Sequence, residues 1–397
     1  MKSAMEMVAF EQALADQTAG QMKIQRNEYL SAGALPVIDQ GQKPIAGYTN
    51  NLGAAYQGPL PVILFGDHTL AFKYVDVPFA LGADGVRVLA AKPPFLSKFL
   101  FYYLTSARMQ SRGYSRHFKY LREMKFPHFA EREQRRIVDL LEQADGLRRQ
   151  RADAGQLADR ILPALFHTLF GDPATNLKGW PQLPLGEVTA ITALMVDPQE
   201  PDYLDLPHVG PDRIETGTGR LLPCQTARDE RLISGKYLFD EHHVLYSKIR
   251  PYLRKVALPD FSGLCSADMY PVTPLENMMT REFLWALLLS PTFTNYTSEH
   301  SGRANMPKLN REQFAAYKSF VPPIELQRKF SGQVAQLRQF DSKREMAHRI
   351  IESLFGLLLH RAFTGELTAK WREAHSKELL AEMEQQARLL GATNQKN

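Results

Sequence analysis

The sequence predicts an α+β protein: two globular domains separated by two long, antiparallel coiled-coil helices in a pseudo-two-fold internal repeat. Three observations carry that prediction. The chain matches itself at a spacing of 193 residues, the matching segments have helical periodicity, and the stretches outside them alternate short β-rich runs with Gly, Asp and Pro turns. At 397 residues the chain exceeds what one hydrophobic core accommodates. With 44% apolar and 23% charged residues, its composition is that of a globular protein and excludes a disordered or fibrous chain.

Residues 126–170 align with 319–363 without a gap, so that Gln134 falls on Gln327, Arg135 on Arg328, Ile137 on Phe330, Leu141 on Val334 and Leu165 on Leu358. Within each copy the apolar positions step by threes and fours, which puts them on one stripe of a helix. About 38 residues at 1.5 Å each give a rod of roughly 55–60 Å, too long for one domain to cover, so each copy is expected to pair with the other. Arg148 and Arg151, matched by Asp341 and Arg344, interrupt both seams. They are either a solvated stretch or a register-selecting one. Pro163 falls on Gly356, two helix-weakening residues at one repeat position, and a bend is expected near both. Pro127 and Pro322-Pro323 mark the entries to the helices; Gly171-Asp172-Pro173 and Gly365 mark their ends.

These boundaries divide the chain into a first domain at 1–125, a spacer helix at 126–173, a second domain at 174–319, a second spacer helix at 320–367 and a polar, helix-prone tail at 368–397. In the domains, Pro61 to Phe65 and His243 to Tyr246 read as strands, and helices are expected over Pro94 to Met109 and Thr280 to Ser290.

The net charge of +5 and a pI near 9.0 permit nucleic-acid binding without establishing it. Distribution says more. Arg108 to Lys125 holds six basic residues against the single acid Glu123, and Tyr246 to Val256 holds four and no acid, each interleaved with tyrosines. Arg112, Tyr114, Arg116, His117 and Lys119 form the first candidate DNA-contacting cluster, with Asp67, His68 and Thr69 as a possible base-reading turn and Lys43 and Tyr48 beside them. The second comprises Tyr246, Ser247, Lys248, Arg250 and Tyr252, placed on a strand that separates Ser247 from Lys248 and Arg250, with Arg254 and Lys255 assigned to phosphates. The loop Ser301, Arg303, Asn305 and Lys308 stands before the second long helix as Arg112 to Lys119 does before the first. Arginine can bond guanine O6 and N7 bidentately and asparagine can bond adenine, whereas lysine and tyrosine suit phosphates or stacking. A solvated basic loop is the plain alternative for each.

Catalytic constellations are not found. Lys92-Pro93-Pro94-Phe95 has the outline of an adenine-methyltransferase motif, but a lysine ammonium offers no acceptor to the exocyclic amine. There is no phosphate-binding Gly-x-x-x-x-Gly-Lys sequence and no His-Glu-x-x-His, and Pro211-Asp212 leads to Glu215-Thr216-Gly217 without a nuclease lysine. Cys224 and Cys265, 41 positions apart, suggest neither a disulfide framework nor a zinc site. The longest apolar run, Phe283 to Leu289, falls far short of the roughly 20 residues of a membrane span. Lacking a basic-then-apolar leader, the chain is expected in the cytoplasm.

Several stretches resemble the specificity subunits of type I restriction-modification systems. In the first domain these are Gly33-Ala34-Leu35-Pro36-Val37-Ile38, Ile63-Leu64-Phe65-Gly66-Asp67-His68-Thr69 and Lys119-Tyr120-Leu121-Arg122-Glu123-Met124 leading to Glu133-Gln134-Arg135-Arg136-Ile137. In the second they are His208-Val209-Gly210-Pro211-Asp212-Arg213-Ile214, Tyr246-Ser247-Lys248-Ile249-Arg250-Pro251-Tyr252, Ser301-Gly302-Arg303-Ala304-Asn305-Met306-Pro307-Lys308-Leu309, and Leu358 to Leu367 at the helix end. One departure is Glu325-Leu326-Gln327, where the family has Glu-Gln. The resemblance implies a non-catalytic reader of double-stranded DNA whose two domains each recognise half of an asymmetric, interrupted target, the helices fixing the spacer. It implies two adenine-methyltransferase subunits and ATP-dependent restriction-translocase subunits as partners, with S-adenosylmethionine, ATP and Mg on those partners and no cofactor or metal in this chain. The competing readings are an adenine methyltransferase and a coiled-coil scaffold that binds no DNA.

Overall fold

The 193-residue sequence repeat is a structural repeat in the computed structural model, which describes residues 6–394 other than 84, 108, 111, 112, 114, 193 and 303–305. Two compact units make up the chain, one from 1–151 with 347–397, the other from 152–346. Each therefore contains a globular part and a portion of both long helices.

In unit 1, strand Met7–Ala9 pairs antiparallel with Lys125–Pro127 just before the first long helix. In unit 2, Gln182–Pro184 pairs in the same way with Lys318–Phe320, and the two strands that precede the helices lie 193 positions apart. Each unit then has a four-stranded antiparallel sheet. Its strand order is Leu14–Asp16, Val86–Ala91, Val62–Gly66, Phe72–Val75 in unit 1 and Thr189–Ile191, Met269–Pro274, Val244–Ser247, Val256–Ala257 in unit 2. A second sheet in each contains one parallel pair, Leu35–Ile38 with Ala80–Leu81 and His208–Val209 with Gly263–Cys265.

The β-rich runs explain where the cores lie. Val62–Gly66 and Val244–Ser247 are buried along their whole length, because both faces of these strands are covered. Ile63 and Phe65 point to the core that holds Phe99, Phe126 and Phe129, while Val62 and Leu64 point to a second cluster with Val75, Phe79 and Val88. Unit 2 repeats the division, with Val244 and Tyr246 on one side and Leu245 on the other. Helices Ser97–Ser106 and Arg281–Leu289 sit where the sequence placed them, shorter by a few residues at the ends of the first.

The long helices comprise Glu131–Ala158 continued by Ile161–Phe170, and Ile324–Phe363. Within unit 1 they run antiparallel, as Phe363 packs on Phe99 at 5.4 Å while Arg148 bonds Glu352 at 2.7 and 2.9 Å. Within unit 2 Phe166 and Phe170 meet Phe330 at 5.9 and 5.2 Å, and Arg344 bonds Asp159 at 2.7 Å. The acids of these two ion pairs, Asp159 and Glu352, occupy the same repeat position. The first helix is interrupted at Asp159–Arg160, four residues before an amide that Pro163 lacks and whose acceptor would be the Asp159 carbonyl. The second runs unbroken through Gly356: glycine weakens a helix but keeps its N–H donor. Gly171 and Gly365 follow the helix ends with φ of 86° and 75°, a region that favours glycine.

Gln134 and Gln327 make the repeat most visible. Both side chains are fully buried. The Gln134 amide donates to the Phe129 and Pro94 carbonyls at 2.9 and 3.2 Å and accepts from Leu96 N–H at 2.9 Å. The Gln327 amide donates to Pro322 and Met278 at 2.8 and 3.1 Å and accepts from Thr280 N–H at 2.9 Å. Leu96 and Thr280 are the residues that cap the two domain helices, so each glutamine fastens a domain helix to the start of a long one.

The tail forms helices Ala369–Ala374 and Ser376–Asn394. It is tied to unit 1 by Arg372 on the buried Glu133 carboxylate at 2.7 Å, by Arg132 on Glu378 at 2.6 Å and by Gln386 beside His128 at 3.1 Å. Among the described residues no helix is long and apolar enough to cross a membrane.

Candidate nucleic-acid interface

Residues far apart in sequence converge at one end of the antiparallel sheet in each unit. In unit 1 the chain leaves strand Val62–Gly66 into the turn Asp67–Thr69. There Asp67 N–H donates to the Gly85 carbonyl at 2.7 Å, and its own carbonyl accepts from His117 N–H at 3.0 Å. The turn also touches the loop after Leu35–Ile38: Thr69 Oγ1 donates to the Gln40 carbonyl, and Gln42 Nε2 donates to the Thr69 carbonyl at 3.3 Å. Lys43, exposed, belongs to that loop.

Unit 2 repeats these bonds. Lys248 follows strand Val244–Ser247, its N–H donates to the Asp268 carbonyl at 3.0 Å, and its carbonyl accepts from Leu309 N–H at 2.9 Å. Ile249 bridges to Lys308, and Arg250 N–H donates to the Pro307 carbonyl at 2.9 Å. Lys255 Nζ reaches the Pro211 carbonyl at 2.6 Å, in the turn that follows His208–Val209. Candidate segments from different parts of the sequence thus meet in space in both units, Asp67 with His117 in one and Lys248 to Arg250 with Pro307 to Leu309 in the other.

Individual side chains divide sharply. Asp67, His117, Tyr246, Ser247 and Ser301 are buried, at 2%, 0%, 1%, 2% and 7% exposure, and are not presented to a base or phosphate. Tyr246 packs on Phe293 and Phe314, each at 5.6 Å. Ser247 Oγ donates to the Ile249 carbonyl at 3.1 Å, and the Ser301 carbonyl accepts from Lys308 N–H. Exposed positions are held by Lys43, Arg116, Lys119, Arg250, Tyr252 and Lys308. Tyr48, His68, Thr69, Lys248, Arg254 and Lys255 are half-buried. Arg112, Tyr114, Arg303 and Asn305 lie outside the described residues.

The expected strand through Lys248 and Arg250 is corrected. It ends at Ser247, and a single turn of tight helix follows, Pro251–Leu253, flanked by Arg250 and Arg254 at φ 47° each. Two non-glycine residues in the left-handed region around one exposed tip store strain of the kind found where a loop is built to present side chains.

Charge is concentrated on the unit 2 surface. Burial lowers the pKa of the Lys248 ammonium, and the nearby charges of Lys308 and Arg311 lower it further against the opposing pull of Asp268. Lys308 Nζ lies 3.7 Å from Asp268 Oδ1, and Lys248 Nζ donates to the Ala267 carbonyl at 2.6 Å. Arg311, exposed with its guanidinium 6.0 Å from the Tyr270 ring, was not among the candidates; it opens the helix Arg311–Ala316 that Asn310 caps. In unit 1, Lys119 stands 4.8 Å over the Tyr120 ring and Arg87 4.7 Å over Phe118. Among the described residues no group of three or more His, Cys, Asp or Glu side chains could hold a metal ion.

Residues 179–354 match the family profile described as a type I restriction modification DNA specificity domain. The chain is 33% identical over 217 residues to the type I restriction enzyme EcoDI specificity subunit of Escherichia coli, a stretch covering 54% of this chain and 48% of that one. It is 30% identical over 86 residues to the EcoR124I/EcoR124II specificity subunit of the same organism, 21% of each chain. It thus spans about half the length of the first of these relatives and about a fifth of the second. The crystal structure of a type I restriction-modification S subunit from M. genitalium shares the fold, with a TM-score of 0.55 over 91% of this chain and 97% of that one at 15% identity. Residues 179–354 thus match a type I restriction modification DNA specificity domain, and the chain is similar to type I specificity subunits over about half its length.

Proposed function

We propose that this chain reads one asymmetric, interrupted sequence in double-stranded DNA as the specificity subunit of a type I restriction-modification complex. In this reading, domain 1–125 recognises one half of the target and domain 174–319 the other, the spacer helices 126–173 and 320–367 fix the number of unread base pairs, and the tail 368–397 supports unit 1. The observation that carries the reading is the convergence found twice over: a turn leaving a buried central strand is bonded to the segment that precedes a long helix, and exposed cations gather there. Arg116 and Lys119 with His68 and Lys43 serve the first half, and Arg250, Lys308 and Lys248 the second. Tyr252 is the exposed ring available for stacking. Because the two sets share a backbone scheme but not residues, the two half-targets differ.

Chemistry on DNA belongs to partners in this account. Two adenine-methyltransferase subunits supply methyl transfer with S-adenosylmethionine, and ATP-dependent restriction-translocase subunits use ATP and Mg, all in the cytoplasm. Domain exchange tests the reading: replacing residues 1–125 with the corresponding domain of a relative should change one half of the recognised sequence and leave the other and the spacer intact. Alteration of both halves would contradict the division.

A further inference from the structure

We infer that Asp67 is a positioning residue for DNA reading by unit 1, a clasp that mounts two reading segments on one framework and makes no base contact itself. This deepens the proposed DNA reading and rests on it. Sequence alone placed Asp67 and His117 among the DNA-contacting groups, but both are buried, and their bonds point inward.

The Asp67 carbonyl accepts from His117 N–H at 3.0 Å and lies 3.0 Å from His117 Nδ1. Its carboxylate Oδ1 accepts from Phe118 N–H at 2.8 Å. Phe118 opens the short helix Phe118–Arg122, and the preceding His117 side chain provides no cap, so Asp67 satisfies from across the fold an amide that this helix leaves orphaned. Arg87 Nε stands 3.9 Å from Asp67 Oδ2, and its guanidinium covers the Phe118 ring. The Asp67 carbonyl and carboxylate together join the turn 67–69 to His117 and Phe118, and the exposed Arg116 and Lys119 flank the joint.

Unit 2 supports the assignment independently. Lys248 holds the matching place: its N–H donates to the residue before the neighbouring strand and its carbonyl accepts from Leu309 N–H at 2.9 Å. The backbone clasp is common to both units, and the side chain at the clasp differs. Unit 2 sends Lys248 Nζ to the Ala267 carbonyl, whereas unit 1 uses a carboxylate to capture a second amide. The Asp67 side chain, buried and turned inward, is framework, and reading in unit 1 falls to the residues beyond it.

The test uses the full-length chain in its complex with the methyltransferase, and duplexes carrying the mapped target, the target with either half scrambled, or neither half. Asp67→Ala removes the acceptor; Asp67→Asn keeps an amide oxygen for Phe118 N–H. Asp67→Ala should lower discrimination at one half-site by about tenfold or more, the scale of one good base contact, with the other half-site and the salt dependence unchanged. Asp67→Asn should stay within about threefold of the natural protein. Should Asp67→Ala lose its cooperative melt, Asp67→Ser, whose hydroxyl is too short to span the gap, takes its place with the same expectation. Full discrimination by the Ala or Ser variant, equal losses in Asn and Ala, or losses at both half-sites would overturn the clasp. A natural protein without preference for any interrupted sequence would instead defeat the DNA reading itself, and the clasp with it.

Discussion

Gln327→Ala should be among the most destabilising single substitutions in unit 2, although it removes one neutral side chain. The fully buried amide donates to Pro322 and Met278 at 2.8 and 3.1 Å and accepts from Thr280 N–H at 2.9 Å. Truncation leaves two carbonyls and one N–H buried without this partner, and each such orphan costs about 1–3 kcal/mol. The total is roughly 3–5 kcal/mol, allowing for partial relaxation and water entry. Gln327→Glu isolates the cause. Its shape is retained and it still accepts from Thr280, but it puts a carboxylate oxygen against two carbonyl oxygens, so its loss should be comparable to that of the alanine variant. Urea unfolding followed through Trp285, buried on the helix that Gln327 fastens, reports on unit 2, and amide exchange at Thr280 reports on the bond. A loss below about 1 kcal/mol for Gln327→Ala, or a Glu variant as stable as the natural protein, would refute the fastening role.

Two further outcomes follow from the charges. The hydrogen bond from Arg148 holds the Glu352 carboxyl below its ordinary value of 4.5. A carboxylate lowered in the folded state contributes stability that is fully present above the unfolded value and is lost as pH falls through the folded one. Unit 1 should therefore lose stability below about pH 4.5 in a way that Glu352→Gln does not share, by well under 1 kcal/mol because the glutamate is 40% exposed; acid titration of both proteins that superimposes would contradict this. For DNA, Arg250→Ala should lower discrimination at the second half-site by about 1–3 kcal/mol, whereas Lys308→Ala should weaken binding across sequences and reduce the slope of log affinity against log salt by about 1; unchanged discrimination for the first or an unchanged slope for the second would remove that residue from its role.

Most of the scaffold was legible in the sequence because the repeat is long and ungapped. It placed the antiparallel helices and both glycine ends, and it singled out Gln134 and Gln327 as matched, although not for what they bond; the short strand pairs just before the helices were not foreseen. Glu325-Leu326-Gln327 departs from the family pattern, yet the Gln327 bonds reproduce those of Gln134 one for one. The candidate segments were also legible as segments. Their side-chain roles were not, since a basic stretch fixes composition and not orientation. Tyr246 and Ser247 sit on a strand covered on both faces, which period-two alternation does not reveal when every residue is enclosed. Asp67 and His117 turned inward because their partners, the Phe118 amide for the Asp67 carboxylate and the Asp67 carbonyl for the His117 ring, lie some 50 residues away in sequence, a pairing invisible to local reading. Pro163 and Gly356 looked equivalent as helix weakeners, but only the proline removes a donor, and only its helix breaks.

Methylation mapping of a host carrying this gene with its genomic neighbours, compared with the same host lacking the gene, tests the central claim most directly. The account predicts one asymmetric, interrupted motif methylated on adenine that disappears when the gene is removed. Methylation unchanged by the deletion, or a gene-dependent motif that is continuous or symmetric, would contradict it.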